Sequence, residues 1–452
     1  MGVSFADERA PLARSRALVL YPDLKRPDAR RTPEECLGEA VNLTQAIDLD
    51  IVDAQIIPLA NPKPGTLLGT GKLEELAAQV AAFDIEVVIV DGPVSPVQQR
   101  NLERALKAKV LDRTGLILEI FGERAATKEG TLQVDLAHLT YQKSRLVRSW
   151  THLERQRGGG GFMGGPGETQ KEADRRTLSE RIGRIERELQ RVTKTRALHR
   201  AGRKKVPYPI VALVGYTNAG KSSLFNAITE SGVLAKDMLF ATLDPTLRGL
   251  SLPGGRRIIL SDTVGFIADL PTELVAAFRA TLEEVLEADL ILHVRDIASS
   301  QTEAERDDVI DVLKGLGVDP ARLESMIEVP NKIDLLAAEE RDALLTQSDR
   351  REGFQAVSAA SGAGVAALVA RIEAQLGAED VETAFVVPPS EGAALAALHN
   401  EGDVRQTTAL DDGSTRLVVR LTPAALGRIC KKYPGLSAGS VDGNDPVNGD
   451  QL

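Results

Sequence analysis

Two glycines, a lysine and a serine stand at the spacing of a phosphate-binding loop in the segment 215–222. The apolar run Ile210–Val214 precedes this segment with a buried-strand pattern, and a helix-compatible stretch follows it. Glycines let backbone N–H groups converge on phosphate oxygens at the positive end of such a helix. We therefore expect Lys221 to neutralise the β- and γ-phosphates of a nucleotide and the Ser222 hydroxyl to bind Mg²⁺. The loop comprises Gly215, Tyr216, Thr217, Asn218, Ala219, Gly220, Lys221 and Ser222.

A second motif, Asn331-Lys332-Ile333-Asp334, begins 110 residues after Lys221 and follows the apolar-leaning segment Met326–Pro330. Asp334 can accept hydrogen bonds from both N1–H and the exocyclic amine of guanine. Adenine offers neither donor in that geometry and would leave a buried carboxylate unpaired. The motif therefore predicts guanine specificity. Near the next strand end, backbone N–H groups of Ser358, Ala359 and Ala360 are candidates to contact guanine O6.

Two segments between these motifs could sense the terminal phosphate. Asp262, Thr263, Val264 and Gly265 follow the strand pattern Arg257–Leu260. We expect Asp262 to hold Mg²⁺ through water and Gly265 to let a backbone N–H reach the γ-phosphate. Upstream, a run with two threonines could close over Mg²⁺, and residue chemistry does not separate Thr242 from Thr246. That run comprises Phe240, Ala241, Thr242, Leu243, Asp244, Pro245 and Thr246.

The residue after Gly265 is Phe266. Many GTPases place a glutamine there to orient the attacking water, and phenylalanine cannot do so. Hydrolysis must use another group, a potassium ion, or a partner that rearranges the switches, so no catalytic side chain is assigned. Asn218 is a candidate K⁺ ligand, and a structural tether of the phosphate loop is an equal alternative.

The chain's composition is that of a soluble protein with several domains. Its 452 residues suggest roughly three domains of ~150 residues. No apolar run approaches the ~18 residues that a membrane helix needs, and no secretory signal is visible. Cys36 and Cys430 are too few and too far apart for a disulfide framework or a cysteine zinc site. We expect a reducing, cytoplasmic setting.

Hydrophobic patterning predicts a multidomain α/β fold: an N-terminal α/β domain (1–122), a basic helical hairpin with linker (123–205), a GTP-binding domain (206–378), and a small C-terminal α/β domain with a tail (379–452). In the first domain, Leu111–Phe121 is predicted to be mostly strand. Gly69-Thr70-Gly71-Lys72 lacks the first glycine and the final Ser/Thr of a phosphate loop, so we interpret it as a turn into a helix. The sequence from Gly435 onward is predicted to be disordered.

The hairpin region has an unusual charge. Residues 141–205 hold 18 Lys+Arg against 7 Asp+Glu, a local net charge of +11 in a chain of net charge −10. Heptad-like seams in Leu136–Leu153 and Leu178–Val192 flank the glycine-rich stretch Gly158–Gly167, and Ala201–Pro209 is interpreted as a linker. The pattern favours a polyanion contact, with a solvated helix pair as the alternative.

These motifs closely resemble the HflX family of the Obg–HflX group of GTPases. The resemblance includes Gly164-Gly165-Pro166-Gly167-Glu168-Thr169-Gln170 with Asp174-Arg175-Arg176, and it extends over about residues 15–430. It implies a GTPase that binds the large ribosomal subunit and its RNA, splits or rescues stalled ribosomes, or assists subunit maturation. It also implies that Thr242 is the switch ligand of Mg²⁺, and that the hairpin loop points toward the ribosome's catalytic centre. We expect a monomer without DNA or membrane partners. Departures from the family pattern occur at Gly160, Lys171 and Pro330.

Two other functions stay open at this point. One is a ribosome-binding nucleotide switch with negligible turnover. The other is RNA remodelling through an ATP site in the N-terminal domain, which no complete phosphate loop supports. A tRNA-modifying GTPase is disfavoured because Cys430 is followed by Lys431 and Lys432 and does not end the chain as a catalytic cysteine motif would.

Overall fold

The computed structural model describes residues 15–25, 30–148, 166–203, 208–230, 240, 246–268, 284–378 and 380–439. These residues form three sheets with helices around them, which confirms the multidomain α/β fold. No helix within these ranges is long and apolar enough to span a membrane.

The N-terminal sheet is parallel, with strand order β2-β1-β3-β4. Thr32 and Glu35 form a capping box at the start of the first helix, and Ser95 and Gln98 do the same for the third. The strands are β1 (Arg16–Asp23), β2 (Asp50–Pro58), β3 (Val87–Val90) and β4 (Lys109–Asp112). The helices are α1 (Pro33–Gln45), α2 (Thr70–Phe83), α3 (Pro96–Leu106) and α4 (Arg113–Arg124).

The prediction of a strand over Leu111–Phe121 was wrong, because β4 ends at Asp112 and α4 begins at Arg113. The Asp112 carboxylate accepts a hydrogen bond from Gly115 N at 2.8 Å and thereby caps the helix. Most of α4 is buried, and a helix that is apolar on most of its surface cannot be told from a buried strand by periodicity. By contrast, the predicted turn into a helix at Gly69 is confirmed, since α2 begins at Thr70.

Two helices, α5 (Lys128–Arg148) and α6 (Pro166–Arg203), pack against each other and form the hairpin. Leu178, Ile182 and Ile185 are half-buried, as the heptad seam predicts. Pro166 and Gly167 belong to α6 and not to a glycine loop, and α6 extends three residues into the predicted linker. Trp150, Leu153 and the glycines from 158 to 165 lie outside the described residues.

The GTPase sheet has the order β6-β7-β5-β8-β9, in which only the pairing of β6 with β7 is antiparallel. Its strands are β5 (Ile210–Gly215), β6 (Thr246–Ser251), β7 (Arg257–Asp262), β8 (Leu290–Asp296) and β9 (Ile327–Asn331). Its helices are α7 (Lys221–Thr229), α8 (Thr302–Gly315), α9 (Pro320–Glu324), α10 (Ala338–Arg350) and α11 (Val365–Leu376).

The C-terminal sheet is antiparallel, with strand order β11-β12-β10-β13. The prediction of disorder from Gly435 was wrong for β13 (Ser437–Gly439), because Ser437, Ala438 and Gly439 pair with β10. The other strands are β10 (Val381–Val387), β11 (Asp403–Ala409) and β12 (Thr415–Leu421), and the helices are α12 (Gly392–Glu401) and α13 (Pro423–Lys432).

The N-terminal and GTPase domains share one hydrophobic core cluster. Phe121 of α4 meets Phe240 edge-on with ring centroids 4.6 Å apart. Phe266 and Ile267 belong to the same cluster, and each is 1% exposed. The segment that follows the GTPase motif Asp262–Gly265 is therefore packed against the N-terminal domain.

Candidate functional site: the nucleotide loops of the GTPase sheet

The predicted phosphate loop connects β5 to α7. Asn218 and Gly220 have φ values of 60° and 87°, in the left-handed region. A Cβ at Gly220 would lie 2.3 Å from Asn331 Nδ2, so no other residue fits this position without displacing a neighbouring loop. The loop therefore folds with its final turn at the N-terminus of α7, where backbone N–H groups can bind an anion.

Lys221 is the first residue of α7 and is 6% exposed. Its Nζ donates to Gly215 O at 3.1 Å and to Tyr216 O at 2.8 Å, so the ammonium lies across the loop. Burial lowers the pKa of Lys221 to about 8, although Asp262 opposes this effect. An anionic ligand would place an opposite charge next to this buried ammonium and stabilise its protonated form.

Ser222 and Asp262 bring two oxygen ligands together, since the Ser222 hydroxyl donates to Asp262 Oδ2 at 2.7 Å. Thr263, the next residue, is buried and donates from Oγ1 to Leu213 O at 2.6 Å. A Cβ at Gly265 would lie 2.9 Å from Thr217 Cα and 3.1 Å from Lys221 Nζ. The end of β7 therefore lies directly against the phosphate loop, with Val264 buried beside it.

Asn331 joins the phosphate loop to both predicted base-binding segments. Its Nδ2 donates to Ala219 O at 2.9 Å, and its Oδ1 accepts a hydrogen bond from Ala359 N at 3.0 Å. Ile333 is buried in a separate small core cluster below. The sequence motif gave the position of Asn331 but not this role, which depends on the approach of three loops that are distant in the chain.

Asp334 lies on the surface of the same loop cluster and accepts a hydrogen bond from the Ser358 hydroxyl. Asp334 is exposed in this structure, so the carboxylate would be buried only by a bound base, and its role in guanine specificity stays a prediction. Lys332 has φ 67°, and its Nζ donates to Asp296 Oδ2 at 2.7 Å. The sequence analysis did not include Asp296 among the site residues. Its position as the last residue of β8, at the edge where the loops meet, could have indicated it. Ala360 is exposed in the following turn.

Residues of the first switch are only partly described. Phe240 is buried, and Thr246 opens β6 opposite Asp262. Ala241, Thr242, Leu243 and Asp244 lie outside the described residues.

Phe266 is buried and its backbone pairs with the phosphate loop. Phe266 N donates to Gly215 O at 3.1 Å, and Thr217 N donates to Phe266 O at 2.8 Å. Beside this contact, a cavity of about 440 Å³ separates the loop from α1 and is lined by Asn218 and Glu39 among others. Phe266 thus fixes the switch to the loop and turns its side chain into the core.

A phosphate loop, an Asp-x-x-Gly turn and an Asn-Lys-x-Asp motif at the strand ends of one mostly parallel sheet define a P-loop GTPase. Four family models match in chain order: "GTP-binding GTPase N-terminal" at 34–122, "GTP-binding GTPase Middle Region" at 124–203, "50S ribosome-binding GTPase" at 210–332 and "HflX C-terminal domain" at 343–433. The chain is 48% identical over 411 residues to GTPase HflX of Magnetococcus marinus, covering 91% of this chain and 94% of that protein.

GTPase HflX of Escherichia coli is 44% identical over 376 residues, covering 83% of this chain and 87% of that protein. The chain belongs to the HflX family of GTPases and is a GTP-hydrolysing enzyme. Among solved structures, a GTP-binding protein from Sulfolobus solfataricus in complex with GDP has a TM-score of 0.42 at 23% identity, covering 80% of this chain and 98% of that one.

Proposed function

We propose that the loops at the carboxyl edge of the GTPase sheet bind GTP and hydrolyse it to GDP and phosphate on the large ribosomal subunit. The supporting observation is a pair of hydrogen bonds made by the Asn331 side chain. One goes to Ala219 O in the phosphate loop, and the other comes from Ala359 N in the segment Ser358–Ala360. In this arrangement Lys221 neutralises the phosphates, and Asp334 accepts the two guanine donors beside Ser358.

Mg²⁺ fits this site. Magnesium prefers hard oxygen ligands and completes its shell with water and phosphate oxygens. The Ser222 hydroxyl and the Asp262 carboxylate are such ligands, and they lie at hydrogen-bond distance from each other. Ser222 would bind the ion directly, Asp262 would do so through water, and Thr242 is the proposed ligand from the first switch. Bound Mg²⁺ supplies neutralisation of the charge that develops on the phosphates.

Phe266 leaves the orientation of the attacking water to another group, a K⁺ ion or a partner. Its side chain is buried between the domains and cannot orient water. Asn218 is an exposed residue of the phosphate loop and stays a candidate ligand for K⁺. In other GTPases, partner-supplied groups accelerate hydrolysis by roughly 10³–10⁵-fold. We therefore expect slow hydrolysis by the free protein, acceleration by large subunits, and a stronger effect of Phe266→Ala on that acceleration than on nucleotide affinity.

The hairpin supplies the surface for ribosomal RNA. Four arginines of α6, namely Arg175, Arg176, Arg184 and Arg187, are exposed, and Arg181 is half-exposed. Since the apolar seam of α6 is half-buried, the helix presents its positive charge outward. Arginine side chains in such an array bind RNA phosphates, and this binding weakens with salt.

The first experiment is cosedimentation of the full chain with purified large subunits in the presence of GTP, GDP or no nucleotide, together with measured hydrolysis. Nucleotide-dependent binding and faster hydrolysis are expected. Binding without any hydrolysis would favour the alternative of a nucleotide switch with negligible turnover, and absence of binding would reject the ribosomal partner. A ribosomal partner would place the protein in the cytoplasm.

The second experiment separates two proposed roles of the hairpin: subunit binding by its arginines and ribosome splitting by its glycine loop. Replacement of Arg175, Arg184 and Arg187 by Gln should weaken subunit binding and flatten its salt dependence. Shortening the glycine loop at 158–165 should preserve much of the binding but reduce ribosome splitting or rescue. Both variants should hydrolyse GTP normally alone. Unchanged splitting after the loop deletion would leave the hairpin as a solvated structural element.

A further inference from the structure

Tyr216 of the phosphate loop contacts the second switch and the N-terminal domain with one hydroxyl group. The hydroxyl donates to Glu39 Oε1 on α1 and accepts a hydrogen bond from Ala268 N at 2.7 Å. Burial and the neighbouring Glu39 raise the pKa of Tyr216, so the hydroxyl stays protonated and remains a donor. The guanidinium of Arg31 lies 5.4 Å from the centroid of the Tyr216 ring. The side chain points away from the phosphate-binding face, into the contact between the domains.

Arg113 holds the same switch segment from the other side. Its Nη2 donates to Ala268 O at 3.0 Å and lies 3.2 Å from Glu39 Oε1, while Nη1 donates to Asp91 Oδ1 at 2.7 Å. All three side chains are largely buried. Both backbone polar groups of Ala268 are therefore bound by side chains that converge on Glu39.

Asp112, the neighbour of Arg113, holds the hairpin. Its carboxylate accepts a hydrogen bond from the Tyr141 hydroxyl at 2.6 Å and forms an ion pair with Arg145, both on α5. It also caps α4 through Gly115 N. Two consecutive residues at the junction of β4 and α4 thus bind the first hairpin helix and the second switch, respectively.

We propose that Tyr216 and Arg113 are positioning residues that fix the switch segment Gly265–Ala268, and that the Asp112–Arg113 junction transmits the position of the hairpin to this segment. The proposal rests on the proposed roles of Gly265 and the hairpin. A shift of α5 would act on Asp112 and, through the rigid start of α4, on Arg113 and Ala268. Close-packed, hydrogen-bonded contacts transmit such displacements.

The test is amide hydrogen exchange of the GDP-bound full chain, read on peptides that cover 262–268. Tyr216→Phe removes both hydroxyl contacts but keeps the ring, and it should accelerate exchange there by about 3- to 10-fold. Arg145 lies on α5 and bonds to Gln99 and Asp112, and within the described residues it bonds to neither the switch nor the nucleotide loops. Arg145→Gln should nevertheless accelerate exchange in the same peptides. The matched control is Arg176→Gln, which removes the same charge from the hairpin and, among the described contacts, an exposed ion pair with Glu180. It should leave 262–268 unchanged.

Steady-state kinetics distinguish a positioning role of Tyr216 from a general loss of folded protein. Tyr216→Phe should lower kcat for GTP by about 3- to 10-fold with KM within about twofold, because its hydroxyl fixes the backbone of the switch and does not face the nucleotide. Unchanged exchange and kcat in Tyr216→Phe would overturn the positioning role. If Arg145→Gln exchanged faster in α5 but not in 262–268, the proposed coupling between the hairpin and the switch segment would be wrong. Neither measurement uses ribosomes. If large subunits did not accelerate GTP hydrolysis, the proposed function would be rejected, but the roles of Tyr216 and Arg113 would not.

Discussion

The N-terminal and GTPase sheets are similar in architecture but differ at the edge where their parallel strands end. Open parallel sheets bind ligands at that carboxyl edge. In the GTPase sheet, β5 leads into a glycine-containing loop with a buried lysine, Lys221. In the N-terminal sheet, Asp91 follows β3 directly and Asp112 ends β4, and both carboxylates are paired with arginines. One edge leaves a cation for a ligand, whereas the other uses its polar groups to hold neighbouring parts of the molecule.

The lysines of the two domains show the same contrast. Lys221 contacts only backbone carbonyls of its own loop among its described hydrogen bonds. Lys72, in the loop-like sequence 69–72, donates to Gln55 and Glu75 at the surface of α2. A residue pattern that resembles part of a phosphate loop is therefore not a phosphate site when its lysine already has a carboxylate partner. This difference argues against an ATP site at Gly69–Lys72.

The largest difference is expected from lysine removal. Lys221→Ala should reduce GTP hydrolysis by at least ~100-fold, because it removes the buried cation from the phosphates. Lys72→Ala, the matched change in the N-terminal domain, should leave GTP hydrolysis within about twofold. Steady-state phosphate release and fluorescent-nucleotide binding measure both. Loss of ATP or GTP binding in Lys72→Ala would show that Lys72 also binds a nucleotide.

Asp334→Asn should shift nucleotide preference from GTP toward XTP by about 100-fold, because the amide donates to the O2 of xanthine where the carboxylate accepted from guanine. Competition of unlabelled GTP and XTP against a fluorescent nucleotide gives the ratio. Asp23→Asn is the control, since Asp23 ends a strand of the other sheet. A parent-like preference for GTP in Asp334→Asn would exclude the assigned role.

The two sheet edges should also differ in their tolerance of substituted glycines. Gly220→Ala should weaken GDP binding by roughly tenfold and destabilise the domain by about 1–3 kcal/mol, because φ is 87° and the Cβ meets Asn331. Gly69→Ala should cost less than about 1 kcal/mol, the preference of an N-cap for glycine over alanine, since Gly69 has φ −69° and a methyl group there would meet no described atom within 4 Å. Denaturant unfolding and GDP titration compare the pair. Equal effects would mean that the two loops are under the same constraint.

GDP binding should also depend on pH. The pKa of Lys221 is about 8 in the free loop, and phosphates raise the pKa in the complex, so GDP binding takes up a proton above pH 8. The affinity for GDP should therefore fall by about tenfold between pH 7 and pH 9. Calorimetry in buffers of different ionisation enthalpy measures the uptake, with Lys72→Ala as the variant that should behave like the parent. Proton release at pH 8.5 would contradict the buried-cation assignment.

Sequence patterns predicted most helices and strands but failed where contacts with distant segments determine the secondary structure. The GTPase strands β5, β7 and β9 were placed correctly, because short apolar runs preceded recognisable motifs. The stretch Leu111–Phe121 was misassigned because most of α4 is buried, and burial on most sides obscures the 3.6-residue period. The strand β13 was missed because three small residues form a strand only by pairing with β10.

The ligand chemistry follows from local residue order, because residue types and short-range backbone geometry specify a phosphate loop and an Asn-Lys-x-Asp turn. The contacts between these loops and the rest of the molecule depend on the packing of distant segments. Tyr216 and Glu39 are 177 residues apart, and Arg113 and Ala268 are 155 residues apart. Hydrophobic periodicity records which face of an element is buried, but it does not record which distant element covers that face. These polar contacts therefore appear only when the two domains share one core.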